Sequence, residues 1–271
     1  MMSVAAILSI LLQAVVPSQA SVCGLPPHGV ASEEFLKNAK ILTVRDFNTM
    51  AVTRPKKVEL HDGQRTCYAV FKTIDEREPR KKFANGRTEL RFSDRYQYEL
   101  AAYELDKLLG LGIVPPVVER RIYREVGSLS LWVEDSITEQ ERLKVRGIHP
   151  PDVARWNNQM YTIRLLEQLV CHTDYRNISN LLVTPVWKIY NIAFSRDFRR
   201  HKRLRREDSL VRFSRPVLDS LRALSRNQLK THLGRWLSEE QIDSLWVRRG
   251  QILELAERRI AELGEDAALF D

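Results

Sequence analysis

The chain has 271 residues, of which 44% are apolar and 29% charged, with a formal net charge of +8. That length exceeds one average domain, and that balance excludes both a disordered polymer and a membrane bundle. The surplus of Lys and Arg favours anionic partners, and Cys23, Cys67 and Cys171 are too few for a disulfide scaffold and lack metal-ligand spacing. One disulfide at most can form, leaving one thiol.

Residues 1–20 carry no charge and combine an apolar run, Val4 to Val16, with Pro17-Ser18-Gln19-Ala20. They are predicted to be a secretory signal peptide without the usual basic start, which places the rest in a secreted or periplasmic compartment. No other window approaches the roughly 20 apolar residues of a membrane span. Residues 21–39 form an extension with a short helix from Ala31 to Asn38. Ile41 to Phe47 alternates like a strand, and Lys57–Leu60 and Thr66–Lys72 flank a hairpin turn at Asp62-Gly63. Thr73 to Arg91 is highly charged without periodicity and reads as a loop or solvated insertion.

Ser93 is the predicted cap of an amphipathic helix whose apolar residues Tyr96, Leu100, Tyr103, Leu108 and Leu111 recur at helical spacing. Gly110, Gly112, Pro115 and Pro116 stop it. Val117–Tyr123 and Leu129–Glu134 are predicted strands joined across Arg124–Ser128. Hairpin, helix, hairpin gives a small antiparallel sheet with one long helix over residues 40–135. From Ser136 to Asp271 the pattern is mainly helical, with Asp152 as a cap, apolar periodicity over Met160–Val170, and a capping box at Ser238-Glu239-Glu240-Gln241. Two strand-like runs, Leu181–Thr184 and Trp187–Phe194, interrupt it. Trp132, Trp187, Trp236 and Trp246 fall on element faces and read as packing.

Two features carry chemistry. Lys72, ending an apolar strand, can face Glu99 on the helix, an ammonium–carboxylate pair suited to holding phosphates; otherwise such a lysine simply reaches solvent. Arg199 to Arg206 holds six Lys or Arg in eight positions. Arg199, Arg200, Lys202 and Arg203, just after the second strand-like run, either form a solvated loop or grip an acidic protein or peptide or an anionic lipid. A nucleic-acid reading is weak, because no aromatic interleaving accompanies the charge.

The chain resembles the atypical kinase superfamily: phosphoinositide kinases, HipA-type bacterial kinases and secretory-pathway kinases of the Golgi casein kinase type. The resemblance rests on Val52–Val58 with Asp62-Gly63, Ala69–Lys72, Tyr98–Asp106 running to Val114-Pro115-Pro116, Leu129–Glu134, His172–Val183 and Trp187–Arg199. It implies an α+β bilobal kinase-like fold with ATP between the lobes and Mg²⁺ or Mn²⁺ as the metal. Lys72 would contact the phosphates, oriented by Glu99, with Thr53 in the covering loop and Trp132 and Val133 at the adenine hinge. Asp174 would be the catalytic aspartate and Asn180 a metal ligand.

Three departures accompany the resemblance. The covering loop, Asn48–Thr53, contains no glycine. In His172–Asn180, an ungapped alignment puts Tyr175 at the aspartate position, and a one-residue insertion restores Asp174; both alignments stand. In Ile192-Ala193-Phe194-Ser195-Arg196-Asp197-Phe198, Ala193 occupies the position of the metal-binding aspartate, with Asp197 the next carboxylate. The leading expectation is a pseudokinase or catalytically impaired kinase. The alternatives are an active phosphotransferase with a non-standard metal site and a basic binding protein for anionic partners.

Overall fold

The structure, a computed structural model, describes residues 23–26, 28–47 and 54–271. The predicted signal peptide and the covering loop with Thr53 lie outside the described residues. Helix α1 (Val30–Asn38) precedes β1 (Lys40–Asp46), β2 (Lys56–His61) and β3 (Thr66–Lys72). Alternation along β3 buries Cys67, Ala69 and Phe71 on one face, together with Val58, Leu60, Leu129 and Leu131, beneath Phe35 and Leu36 of α1. Each of the Val, Leu and Phe side chains contributes about 1.5–3 kcal/mol on burial. The same period of two puts Val70 and Lys72 on the opposite face. Cys23 is disulfide-bonded to Cys67, and Cys171 is a buried free thiol.

The segment read as a solvated loop is instead a two-stranded ribbon, β4 (Asp75–Lys82) and β5 (Thr88–Arg95). Most of its residues are at least partly exposed, so no apolar alternation marks it. Its turn is Ala84-Asn85-Gly86, with Gly86 at φ 80°, and Lys81 pairs with Glu78 at 3.1 Å. β5 runs almost directly into α2 (Gln97–Leu109), so Ser93 is a strand residue and not the helix cap; Tyr96 occupies that place. The Ser93 hydroxyl instead accepts from Tyr98 and Arg199. The buried face of α2 is wider than the predicted stripe: Leu105, Asp106 and Leu109 are buried, whereas Leu108 is half-buried. Asp106 accepts hydrogen bonds from the backbone N–H of Gly112, Ile113 and Val114, which fixes the exit toward β6 (Val117–Ile122). β7 (Glu125–Leu131) begins earlier than the apolar pattern indicates. The five-stranded sheet has the order β1-β2-β3-β7-β6 and is antiparallel throughout.

Beyond it come β8 (Ile137–Thr138), α3 (Glu139–Glu141) and α4 (Val153–Val170), the last capped by Asp152 accepting from Arg155 N–H at 2.9 Å. β9 (Leu181–Val183) and β10 (Ile189–Asn191) join β8 in a small sheet. β11 (Phe213–Ser214), α5 (Arg215–Ala223), α6 (Arg226–Leu233), α7 (Glu239–Leu263), α8 (Glu265–Ala268) and β12 (Leu269–Phe270) complete the chain. α7 opens with the Ser238/Gln241 capping box. Leu105 of α2 shares one core with Ile163, Leu166, Leu221, Leu245 and Ile252, so α2 is packed both on the sheet and on the helices. Trp187, Trp236 and Trp246 pack against that core, and Trp156 is buried within it. Among the described residues, no helix is long and apolar enough to cross a membrane.

Candidate nucleotide-binding cleft

Lys72 Nζ lies 2.5 Å from Glu99 Oε1, with side-chain exposures of 14% and 7%. Backbone chemistry sets this pair. Tyr96 N–H donates to the Ile74 carbonyl at 2.7 Å, tying the exit of β3 to the start of α2. Across β7, a Cβ on Gly127 would stand 2.2 Å from the Lys72 carbonyl oxygen and 2.8 Å from the Phe71 ring. Only glycine lets the two strands approach so closely at the residue that carries the ammonium.

On the helical side, Asp174 Oδ2 accepts from the amides of Asn177 at 3.0 Å and Asn180 at 3.4 Å, so the polar segment draws Asp174 and Asn180 together. The Asn180 carbonyl accepts from Ile192 N–H at 2.9 Å, which holds Ala193 next in the chain to that contact. The same strip is bonded to three other elements: Asn191 N–H to Ile113, Arg95 N–H to the Ser195 carbonyl at 2.7 Å, and Phe198 N–H to Val170. Ala193 has φ 71°, a left-handed conformation that aspartate and asparagine tolerate better than alanine.

Asp197 is not a substitute for the missing carboxylate. It is buried and accepts from His172 Nδ1 at 2.8 and 2.9 Å. Burial works to lower the His172 imidazole, but the Asp197 carboxylate outweighs it and pushes the pKa up to about 9. Nearby Glu167 is pushed up to about 7, chiefly by burial. With Ala193 contributing a methyl group, the Asp174 and Asn180 donors do not make the expected site for Mg²⁺ or Mn²⁺. No cluster of three or more His, Cys, Asp or Glu suited to a metal occurs among the described residues.

Just past β7, at the residues expected to form a hinge, Trp132 N–H donates to the Tyr68 carbonyl at 3.0 Å, and the Val133 carbonyl accepts from Ser136 Oγ at 2.8 Å. The Trp132 ring meets Phe47 edge-on at 5.5 Å and carries Lys57 Nζ 4.4 Å from its centre. A cavity of about 190 Å³ adjoins Leu131–Glu134 where Cys23, Gly24 and Leu25 pack.

The basic run is split by the fold. Arg199 is turned inward, its side chain 7% exposed and paired with Glu89 at 2.6 Å, which corrects its assignment to an exposed patch. Burial holds its pKa below the usual guanidinium value. Arg200, Lys202 and Arg203 remain exposed, with Arg200 paired to Glu240 at 2.6 Å. Arg199 and Arg200 line a groove of about 960 Å³ between the β4–β5 ribbon and the start of α7. Eight arginines and two glutamates line it, and although most of the arginines pair with carboxylates, among them Asp75, Glu89 and Glu240, the lining keeps an excess of positive charge. Arg77, Arg87, Arg91, Arg95 and Arg235 reach it from far apart in the chain, and the sequence offered no pattern for them beyond the Asn85-Gly86 turn signal.

No protein-family model matches the chain, and no curated protein sequence matches it. Among solved structures, it is similar to hydra Fam20 with sugar, at 14% identity and a TM-score of 0.60, over 88% of this chain and 90% of that one. It is also similar to the Golgi casein kinase, at 13% identity and a TM-score of 0.59, over 88% of this chain and 78% of that one. At such identities the likeness is one of fold. The chain has the α+β kinase-like fold of these secretory-pathway kinases: an antiparallel sheet followed by a helical region.

Proposed function

We propose that this protein binds a nucleoside triphosphate in the cleft between residues 40–135 and 136–271, and that its phosphoryl transfer is impaired by Ala193. The observation that carries the reading is the Lys72–Glu99 pair at 2.5 Å, with Ala193 in the strip bonded to Asn180. An oriented ammonium attracts phosphate oxygens, and Trp132 and Val133 stand at the hinge where an adenine would lie. Thr53, by its sequence position, belongs to the loop over the phosphates. Asp174 takes the place of the base and Asn180 that of a metal ligand, but a methyl group at residue 193 cannot neutralise the charge that builds up during transfer.

The groove beneath the β4–β5 ribbon favours an acidic protein or peptide as the partner, through Arg200 and Arg205 in its lining, with the exposed Lys202 and Arg203 close by in the chain and Arg199 committed to Glu89. The Cys23–Cys67 disulfide and the predicted leader support a secreted or periplasmic location. ATP hydrolysis and autophosphorylation, measured on the wild-type chain and on Ala193→Asp, test the reading. Little turnover in the first and a gain in the second is the expected result. High turnover in the wild type would overturn the impairment.

A further inference from the structure

The β4–β5 ribbon carries an open strand edge along the positively charged groove. Among the described residues, β4 and β5 pair only with each other. At the base of the ribbon Tyr96 N–H donates across it to the Ile74 carbonyl, so the N–H of Arg95 points away from β4, and the Ser195 carbonyl takes it at 2.7 Å. Beyond that one rung, no backbone group of residues 88–93 is bonded outside the ribbon among the described residues. The groove is lined by every residue from Arg87 to Ser93 in succession. A strand presenting one face would contribute alternate residues, so β5 meets the groove edge-on, over a length of about 20 Å. A row of unpaired N–H and C=O groups is a template for another strand.

The charge beside this edge is short of acids. Glu89 is shared by Arg87, Arg196 and Arg199, Glu240 by Arg91 and Arg200, and Asp75 by Arg77 and Arg95. Arg205, also in the lining, has no carboxylate partner among the described residues. Trp236 Nε1 and Arg199 Nε, both on groove residues, are sequestered from solvent and donate to nothing there. Unfilled donors beside a groove call for an acceptor. A second copy of the chain would bring the same excess of arginine to the edge and be repelled, whereas an acidic segment is complementary. We propose that an acidic segment in extended conformation docks here as a third strand of the ribbon, its main chain bonded to the β5 edge and every second side chain directed at the groove arginines. The inference rests on the acidic-partner reading and adds to it how the partner is held and the pattern it must carry, carboxylates at alternate positions.

The test is fluorescence anisotropy of the full chain with a labelled peptide of alternating glutamate and threonine, either unmodified, N-methylated at the glutamate amides, or N-methylated at the threonine amides. In an added strand the N–H groups point toward β5 at every second residue. One N-methylated peptide is therefore expected to lose affinity about tenfold or more, and the other to bind nearly as the unmodified one does. Amide hydrogen exchange within residues 88–93 should slow when the unmodified peptide binds, a readout that needs no protein variant. Equal affinity of the two N-methylated peptides, or unchanged exchange at residues 88–93 under saturating unmodified peptide, would overturn strand addition and leave the acidic-partner reading standing. A chain that takes no peptide at low salt would overturn both, and if it is dimeric with residues 88–93 protected, the edge belongs to a second copy.

Discussion

The sheet side and the helical side of the proposed nucleotide site differ in what they present. The sheet wall presents an ammonium and a carboxylate 2.5 Å apart, set by the Tyr96-to-Ile74 hydrogen bond and by the absence of a side chain at Gly127. The helical side has a strip bonded through its backbone to Asn180, Ile113 and Arg95, with no acid at residue 193. Residue 193 is alanine in a left-handed conformation, and the next carboxylate, Asp197, is drawn inward by His172. Main-chain architecture and side-chain chemistry are thus separable: the strip has a left-handed turn at residue 193 that an aspartate would fit, and a turn alone does not hold a metal.

The comparison is sharpened most by restoring the acid. Ala193→Asp should raise ATP turnover by an order of magnitude or more, since removing a charge-stabilising group from a transfer site typically costs about 10²–10³ in rate. An unchanged rate, with the fold intact by circular dichroism, would show that the strip is not in its transfer-competent position. Next in size is the clamp on the sheet wall. Replacing both Cys23 and Cys67 by serine opens a link between residues 44 apart and should lower stability by about 2–4 kcal/mol in denaturant titration. A loss well below that range would mean that Cys23 adds little to the sheet. Gly127→Ala should cost about 1–3 kcal/mol through overpacking against the Lys72 carbonyl, and should weaken ATP binding by shifting the ammonium. If affinity holds while stability falls, the close approach serves the sheet alone.

A pH-dependent effect concerns the interior of the helical side. The pKa of His172 is raised from 6.5 to about 9, so its pairing with Asp197 contributes stability that is fully present below pH 6.5 and lost as pH rises through about 9. Glu167, raised from 4.5 to about 7, has the same sign at lower pH. The melting temperature should therefore fall between pH 6.5 and 9, and His172→Gln should flatten that part of the profile. A steep alkaline decline that survives in His172→Gln would assign it to another group.

Much of this was legible in the sequence where burial leaves a periodic trace. The Asp62-Gly63 hairpin, Glu99 on an amphipathic helix, the Asp152 cap and the Ser238–Gln241 capping box all appear where pattern and turn chemistry place them. The β4–β5 ribbon left no such trace, because strands with little burial need not alternate, and its charged residues imitate a loop. Ser93 looked like a cap because hydroxyl residues favour helix starts, yet the strand simply runs on to Tyr96. The inward turn of Arg199 was likewise hidden, since its partner Glu89 comes from the ribbon itself.

The measurement that bears most directly on the account is metal-free ATP binding to the wild-type chain and to Lys72→Met, by calorimetry, with thermal melts showing that both are folded. The expected result is saturable binding in the wild type, weakened about tenfold or more in the variant, because a charge-assisted contact to phosphate is lost. Equal affinity in the two proteins would contradict the assignment of Lys72 and Glu99 as the phosphate anchor.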